Sequence, residues 1–215
     1  MYFSSRASGT NVLVSRALGS PTQTANDFAL AHGVSDDGRV LYSTDATNVR
    51  AALVDTNADS DVFVFDPATG QSTLVTHAPG APNTTQNGGA RGWAFSPDAR
   101  FVAFETGATN VLAGVVDGNN QRDCYSIDLA TDTTVLVSRS ALAANVTANG
   151  RCQSRAAVGS DGRYLAYLTS ATNVLAGVVD ANDRDDVYLF DRTTGTTALA
   201  SHAAGIASTT ADDQA

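Results

Sequence analysis

Apolar residues in this chain come in short runs, cut by Asp, Gly, Pro, Asn and Thr, and the runs repeat. The clearest is Val62 to His77, VFVFDPATGQSTLVTH, which reads as two strands around a polar turn. Three stretches echo it: Met1 to Arg16 (MYFSSRASGTNVLVSR), Cys124 to Arg139 (CYSIDLATDTTVLVSR) and Val187 to His202 (VYLFDRTTGTTALASH). Their starts lie 61, 62 and 63 residues apart. A near-fixed period implies stacked copies of one unit.

Each full unit predicts four strands, A to D. In the first they are Phe28 to Val34, Val40 to Ser43, Asp61 to Phe65 and Ser72 to Thr76. The second places them at Gly92 to Phe95, Phe101 to Glu105, Asp123 to Ile127 and Thr133 to Val137. The third places them at Arg155 to Val158, Tyr164 to Leu168, Asp186 to Phe190 and Thr196 to Ala200. Strand C is apolar on successive residues, as suits a sheet covered on both faces. Gly38 and Gly162 fall at left-handed positions of the A–B turn, with Ala99 a departure, and Gly70 and Gly195 at those of the C–D turn, where Asp132 replaces the Gly.

Four short antiparallel strands per unit predict an all-β fold of β-propeller blades. The strand and turn chemistry excludes helical solenoids, and a β-sandwich would not repeat a four-strand module three times. The expected layout is a C–D hairpin of a partial blade at 1–16, then blades at 17–77, 78–139 and 140–202. Residues 203–215 would lead into a further blade. About 3.5 blades make an incomplete ring, so the chain is expected to be an excerpt of a longer protein or an open arc that self-associates through its exposed blade faces.

The units resemble the WD-like propeller repeats of bacterial TolB-type proteins. The resemblance rests on Ser96-Pro97-Asp98-Ala99-Arg100-Phe101-Val102-Ala103-Phe104, on Ser35 to Tyr42 and Ser160 to Tyr167, and on DVFVFD and DVYLFD at Asp61–Asp66 and Asp186–Asp191. It covers nearly the whole chain. It implies a propeller fold and three settings for it: a periplasmic scaffold, a surface protein, or the non-catalytic propeller of a peptidase. A fold so widely shared carries no function by itself.

Composition narrows the partners. Net charge is −9, lysine is absent and Glu105 is the only glutamate. That surface argues against nucleic acid and anionic membranes, and no apolar run is long enough to insert into a membrane. No signal peptide is visible, and Met1 takes the repeat position of Val62, so the chain is expected to start mid-blade.

The chemistry-bearing pattern is the B–C loop, where D-x-N-x-x-x-D recurs as Asp55/Asn57/Asp61, Asp117/Asn119/Asp123 and Asp180/Asn182/Asp186. Alternating oxygen ligands suit calcium, and only the first copy adds an acid at its fifth position, Asp59. The same residues also fold such a loop by bonding the backbone. Cys124 and Cys152 fall at neighbouring blades on one face, as a disulfide or two free thiols. His32, Trp93, Arg91 and Arg155 are placed on or beside strand A, near the channel. His77 and His202 are expected to face solvent, and Asp66, Asp128 and Asp191 to pair with Arg39, Arg100 and Arg163. No nucleophile, base and acid arrangement is visible. The reading is a non-enzymatic module that binds a protein or peptide in a bacterial envelope or secreted protein. A calcium-stabilised extracellular propeller and the propeller of a larger hydrolase are the alternatives.

Overall fold

The computed structural model describes residues 1–5, 9–180 and 182–211, without the side chains of residues 154–156. The first hairpin is β1 (Tyr2–Ser4) and β2 (Asn11–Leu13). Three four-stranded antiparallel sheets follow. The first is β3 (Ala29–Val34), β4 (Val40–Thr44), β5 (Asp61–Asp66) and β6 (Gln71–Leu74). The connection after it forms a small hairpin, β7 (His77–Ala78) and β8 (Ala81–Thr85). The second sheet is β9 (Ala90–Phe95), β10 (Phe101–Thr106), β11 (Asp123–Asp128) and β12 (Thr133–Leu136), and its hairpin is β13 (Arg139–Ser140) and β14 (Ala143–Thr147). The third is β15 (Cys152–Val158), β16 (Tyr164–Thr169), β17 (Asp186–Asp191) and β18 (Thr196–Leu199), followed by β19 (His202–Ala203) and β20 (Ile206–Thr210). This is an all-β, propeller-like array of blades.

The turns take the expected conformations. Residues Gly38, Ala99 and Gly162 have φ of +84°, +56° and +68°, and Gly70, Asp132 and Gly195 have +71°, +56° and +66°. Each sheet stacks one aromatic pair across its middle strands: Tyr42 on Phe63, Phe104 on Tyr125 and Tyr167 on Tyr188, with ring centroids 5.7, 5.8 and 5.9 Å apart. Such pairs add about 0.5–1.5 kcal/mol beyond their burial. Between blades, β9 packs against both β3 and β15, so these first strands are neighbours along the array. One apolar cluster joins Leu41, Val62 and Val64 of the first sheet to Val102, Phe104 and Ile127 of the second.

The D-to-A connections, expected as plain loops, are instead two-stranded hairpins. Parallel bridges Val54↔Thr84, Val116↔Val146 and Val179↔Thr209 tie each one to the preceding B–C loop. Apolar alternation is too brief over such short strands to register in the sequence.

A second correction concerns the position after strand D. His77 is largely buried, and its Nε2 lies 2.8 Å from Asp132 Oδ1 in the C–D turn of the next blade. Arg16 lies over the Phe65 ring and donates to the Gly70 carbonyl, and Arg139 lies over Phe190. The position is a clamp between blades, made by reaching the neighbour's turn. His202 is exposed, as expected. The blade-internal ion pairs form at Arg100–Asp128 and Arg163–Asp191, 2.8 and 2.7 Å, but Arg39 turns to Asp37 instead of Asp66.

Candidate functional site

The B–C loops and inter-blade hairpins share one face. In the first loop Asp55 Oδ1 accepts from the backbone N–H of Asn57 and Ala58. Asn57 Oδ1 accepts from Asp59 N–H. The Asn57 amide nitrogen donates to the Gln86 carbonyl at 2.8 Å and lies 3.4 Å from Asp61 Oδ1. The second loop repeats this with Asp117, Asn119 and Asp123, and the third with Asp180 and Asn182. These bonds close a tight turn whose next residues, Ala58, Asn120 and Asp183, have φ near +54°. Asn57 offers Asp61 a donor rather than an oxygen ligand, and among the described residues no three His, Cys, Asp or Glu side chains converge.

The last acid of each loop opens strand C and is buried. Asp61 accepts from Thr76 Oγ1, Asp123 from Ser138 Oγ and Asp186 from Ser201 Oγ. The same hydroxyls accept the backbone N–H of Val62, Cys124 and Val187. Burial pushes the Asp61 and Asp123 carboxyls up to about 7, against the hydrogen bonds that favour their ionised forms. The charges of Asp55 and Asp59 raise Asp61 further, and Asp117 raises Asp123. Burial raises Asp186 as well.

A second set of loop residues was missed. Asn26, Asn87 and Asn149 each clamp the A-T-N segment of their blade. Asn87 N–H donates to Asn110 Oδ1, Thr109 N–H donates to Asn87 Oδ1, and Asn87 Nδ2 donates to Thr109 Oγ1, all at 2.9 Å. Asn26 with Thr47 and Asn48, and Asn149 with Thr172 and Asn173, do the same. The signal was present as an Asn recurring at the repeat period, 61 and then 62 residues on. These Asn residues sit outside the strands that carry the clearest repeat. Replacing Asn87 by Ala removes the two side-chain bonds, leaves the Thr109 N–H and Oγ1 without these partners, and keeps the backbone N–H bond to Asn110. A loss of about 1–2 kcal/mol is expected, read as a lower urea midpoint with an unchanged slope.

The four residues expected near a channel lie on the first strands, at or beside their irregularities. The ladder skips a residue at His32 in β3 and at Trp93 in β9, so both are β-bulge residues. His32 Nε2 lies 2.7 Å from Ser43 Oγ. Burial, and then the charge of Arg91, lower its pKa, which keeps the ring neutral at pH 7. Trp93 packs on the apolar cluster around Leu165 and Tyr167, with its indole N–H buried and unpaired among the described residues. Arg91 is exposed at the rim of an open cavity. Arg155 lies on β15, and its side chain lies outside the described residues. Cys124 and Cys152 are both buried and are joined as a disulfide across neighbouring blades, with Cα atoms 5.6 Å apart.

Four-stranded sheets in antiparallel order, set side by side through their first strands, are the decisive arrangement. The chain is similar to TolB-type propellers. Putative TolB from Agrobacterium tumefaciens matches over 80% of this chain and 48% of its own, at 16% identity and a TM-score of 0.44. TolB from Acinetobacter baumannii matches over 92% and 36%, at 14% identity and 0.46. The β-propeller domain of the Trilobed protease from Pyrococcus furiosus matches over 80% and 41%, at 13% identity and 0.45. This chain spans less than half the length of each of these proteins. No family model and no curated protein matches the sequence.

Proposed function

We propose that the chain is a non-enzymatic β-propeller module that binds a protein or peptide through its loop face, within a bacterial envelope or secreted protein. One observation carries this reading. Val54, Val116 and Val179 recur at equivalent loop positions, 51, 54 and 60% exposed, on loops held by repeated side-chain to backbone bonds. A row of apolar side chains on a face held by these bonds suits contact with another protein, because little ordering entropy is lost there on binding. The disulfide supports an oxidising compartment.

Lysine is absent, so amine cross-linkers are of little use and a site-specific photocross-linker is the appropriate probe. Placed at Val116, it should give adducts in an envelope or secreted fraction. Placed at Ala68, in a C–D turn on the opposite face, it should give none. Equal adducts at both positions would remove the loop-face reading. Melting in calcium against chelator tests the calcium-stabilised alternative, which a shift would favour and no shift would remove.

A further inference from the structure

The proposed binding reading leaves the chemistry of the partner open, and one cavity narrows it. An open cavity of about 520 Å3 lies on the loop face, where the second blade meets the third. Arg91 comes to it from β9, Arg122 from the loop before β11, and Arg151 from the residue before β15. Its charge inverts that of the protein. The whole chain has 13 basic and 22 acidic residues, whereas among the described residues this lining has three arginines and one acid, Glu105. Arg122 Nη1 is 3.7 Å from Glu105 Oε1. Arg91 and Arg151 are exposed, and among the described residues neither makes an ion pair.

The cavity is also held firmly. The Arg122 carbonyl accepts from Cys152 N–H, and the Arg151 carbonyl accepts from Thr169 Oγ1 at 2.9 Å. The disulfide lies two residues after Arg122 and directly after Arg151, so it fixes the spacing of their backbones. Gln121 and Gln153 line the same cavity, and the Gln153 amide donates to Asp185. Guanidiniums pair with carboxylates through two parallel hydrogen bonds, and exposed side-chain amides can bond an extended backbone. The volume suits a few residues of peptide.

We propose that Arg91, Arg122 and Arg151 form a carboxylate-binding site that takes an acidic segment of a protein partner. The inference rests on the protein-binding reading above. The surrounding negative surface repels acidic chains elsewhere and leaves this rim as the place where one can settle.

The test uses the intact, oxidised chain and a fluorescent tetraglutamate peptide, followed by anisotropy. Binding is expected at 50 mM salt, weakening as salt rises. The double variant R91Q/R151Q should bind at least tenfold more weakly. R39Q, on the opposite face, should bind like the native chain. Tetraglutamine should not bind, and inorganic phosphate should displace the peptide only at far higher concentration. Circular dichroism and the melting midpoint establish that the variants are folded. Unchanged affinity in R91Q/R151Q, or equal binding of tetraglutamine, would overturn the proposal. Displacement by equimolar phosphate would also overturn it, in favour of a simple oxyanion site. If tetraglutamate fails while the adduct at position 116 persists, only the carboxylate site falls and the loop-face reading stands.

Discussion

The urea midpoint should fall as pH rises from 5 to 8, opposite to the behaviour expected of a protein whose carboxylates are stabilised by ion pairs. Unfolded aspartate ionises near pH 3.9. Asp61 and Asp123 hold their protons to about 7 in the folded chain. Between those values the native state binds more protons than the unfolded state. Their contribution to stability is therefore fully present below about pH 3.9 and is lost as pH rises through about 7. Each group can change stability by up to about 1.4 kcal/mol per pH unit in that window. A total drop of a few kcal/mol is expected.

Other groups act elsewhere or in the opposite sense. Arg100 and Arg163 hold Asp128 and Asp191 below the usual carboxylate range, so those pairs weaken the fold only under stronger acid. Burial and the charge of Arg91 lower the pKa of His32, so this group acts against stability as pH falls below about 6.5, where an unfolded histidine protonates. It opposes Asp61 and Asp123, to which Asp186, also raised by burial, adds in the same sense. Asp61→Asn keeps an oxygen for Thr76 and removes the charge. It should raise the midpoint at pH 8, leave pH 5 nearly unchanged and remove about half of the slope. A flat profile in the native chain would mean that the carboxyls are ionised and compensated.

Replacing Cys124 and Cys152 together by Ser should lower stability by roughly 3–4 kcal/mol at 25 °C. The bond closes a loop of sequence separation 28, and the chain-entropy relation gives about that value for such a loop. Both sulfurs are buried between the second and third blades, so two hydroxyls would also have to find partners there. The loss should appear as a lower midpoint for the double variant, matched by the native chain under reductant. Thiol titration of the denatured, unreduced chain should find no free cysteine. Two free thiols there would show that the pair packs without bonding.

The A–B and C–D turns were legible because each needs a residue tolerant of positive φ, and Gly or Asp falls at the right register in all but one; Ala99, the departure, takes the same conformation at φ +56°. The blades were legible because four strands per period leave few architectures. Strand ends shifted by a residue or a few, since Thr44, Thr106 and Thr169 continue their ladders while turning their hydroxyls to a backbone carbonyl. The pattern D-x-N-x-x-x-D was legible as a motif, but not its use. Ligand cage and backbone-folding turn demand the same residue types, and only the direction of the Asn57 amide separates them.

The sequence by itself determined the repeat, the four-strand unit, the turn conformations and the acidic balance, because these are local or additive properties of the residues. The tertiary structure decided everything that depends on two blades meeting. It placed His77 against Asp132, brought Cys124 to Cys152, and buried Asp61 and Asp123 far enough to hold their protons. It also gathered Arg91, Arg122 and Arg151 around one cavity on an otherwise negative protein. Those distances are set by how sheets pack face to face, and burial and field strength depend on that packing rather than on position along the chain.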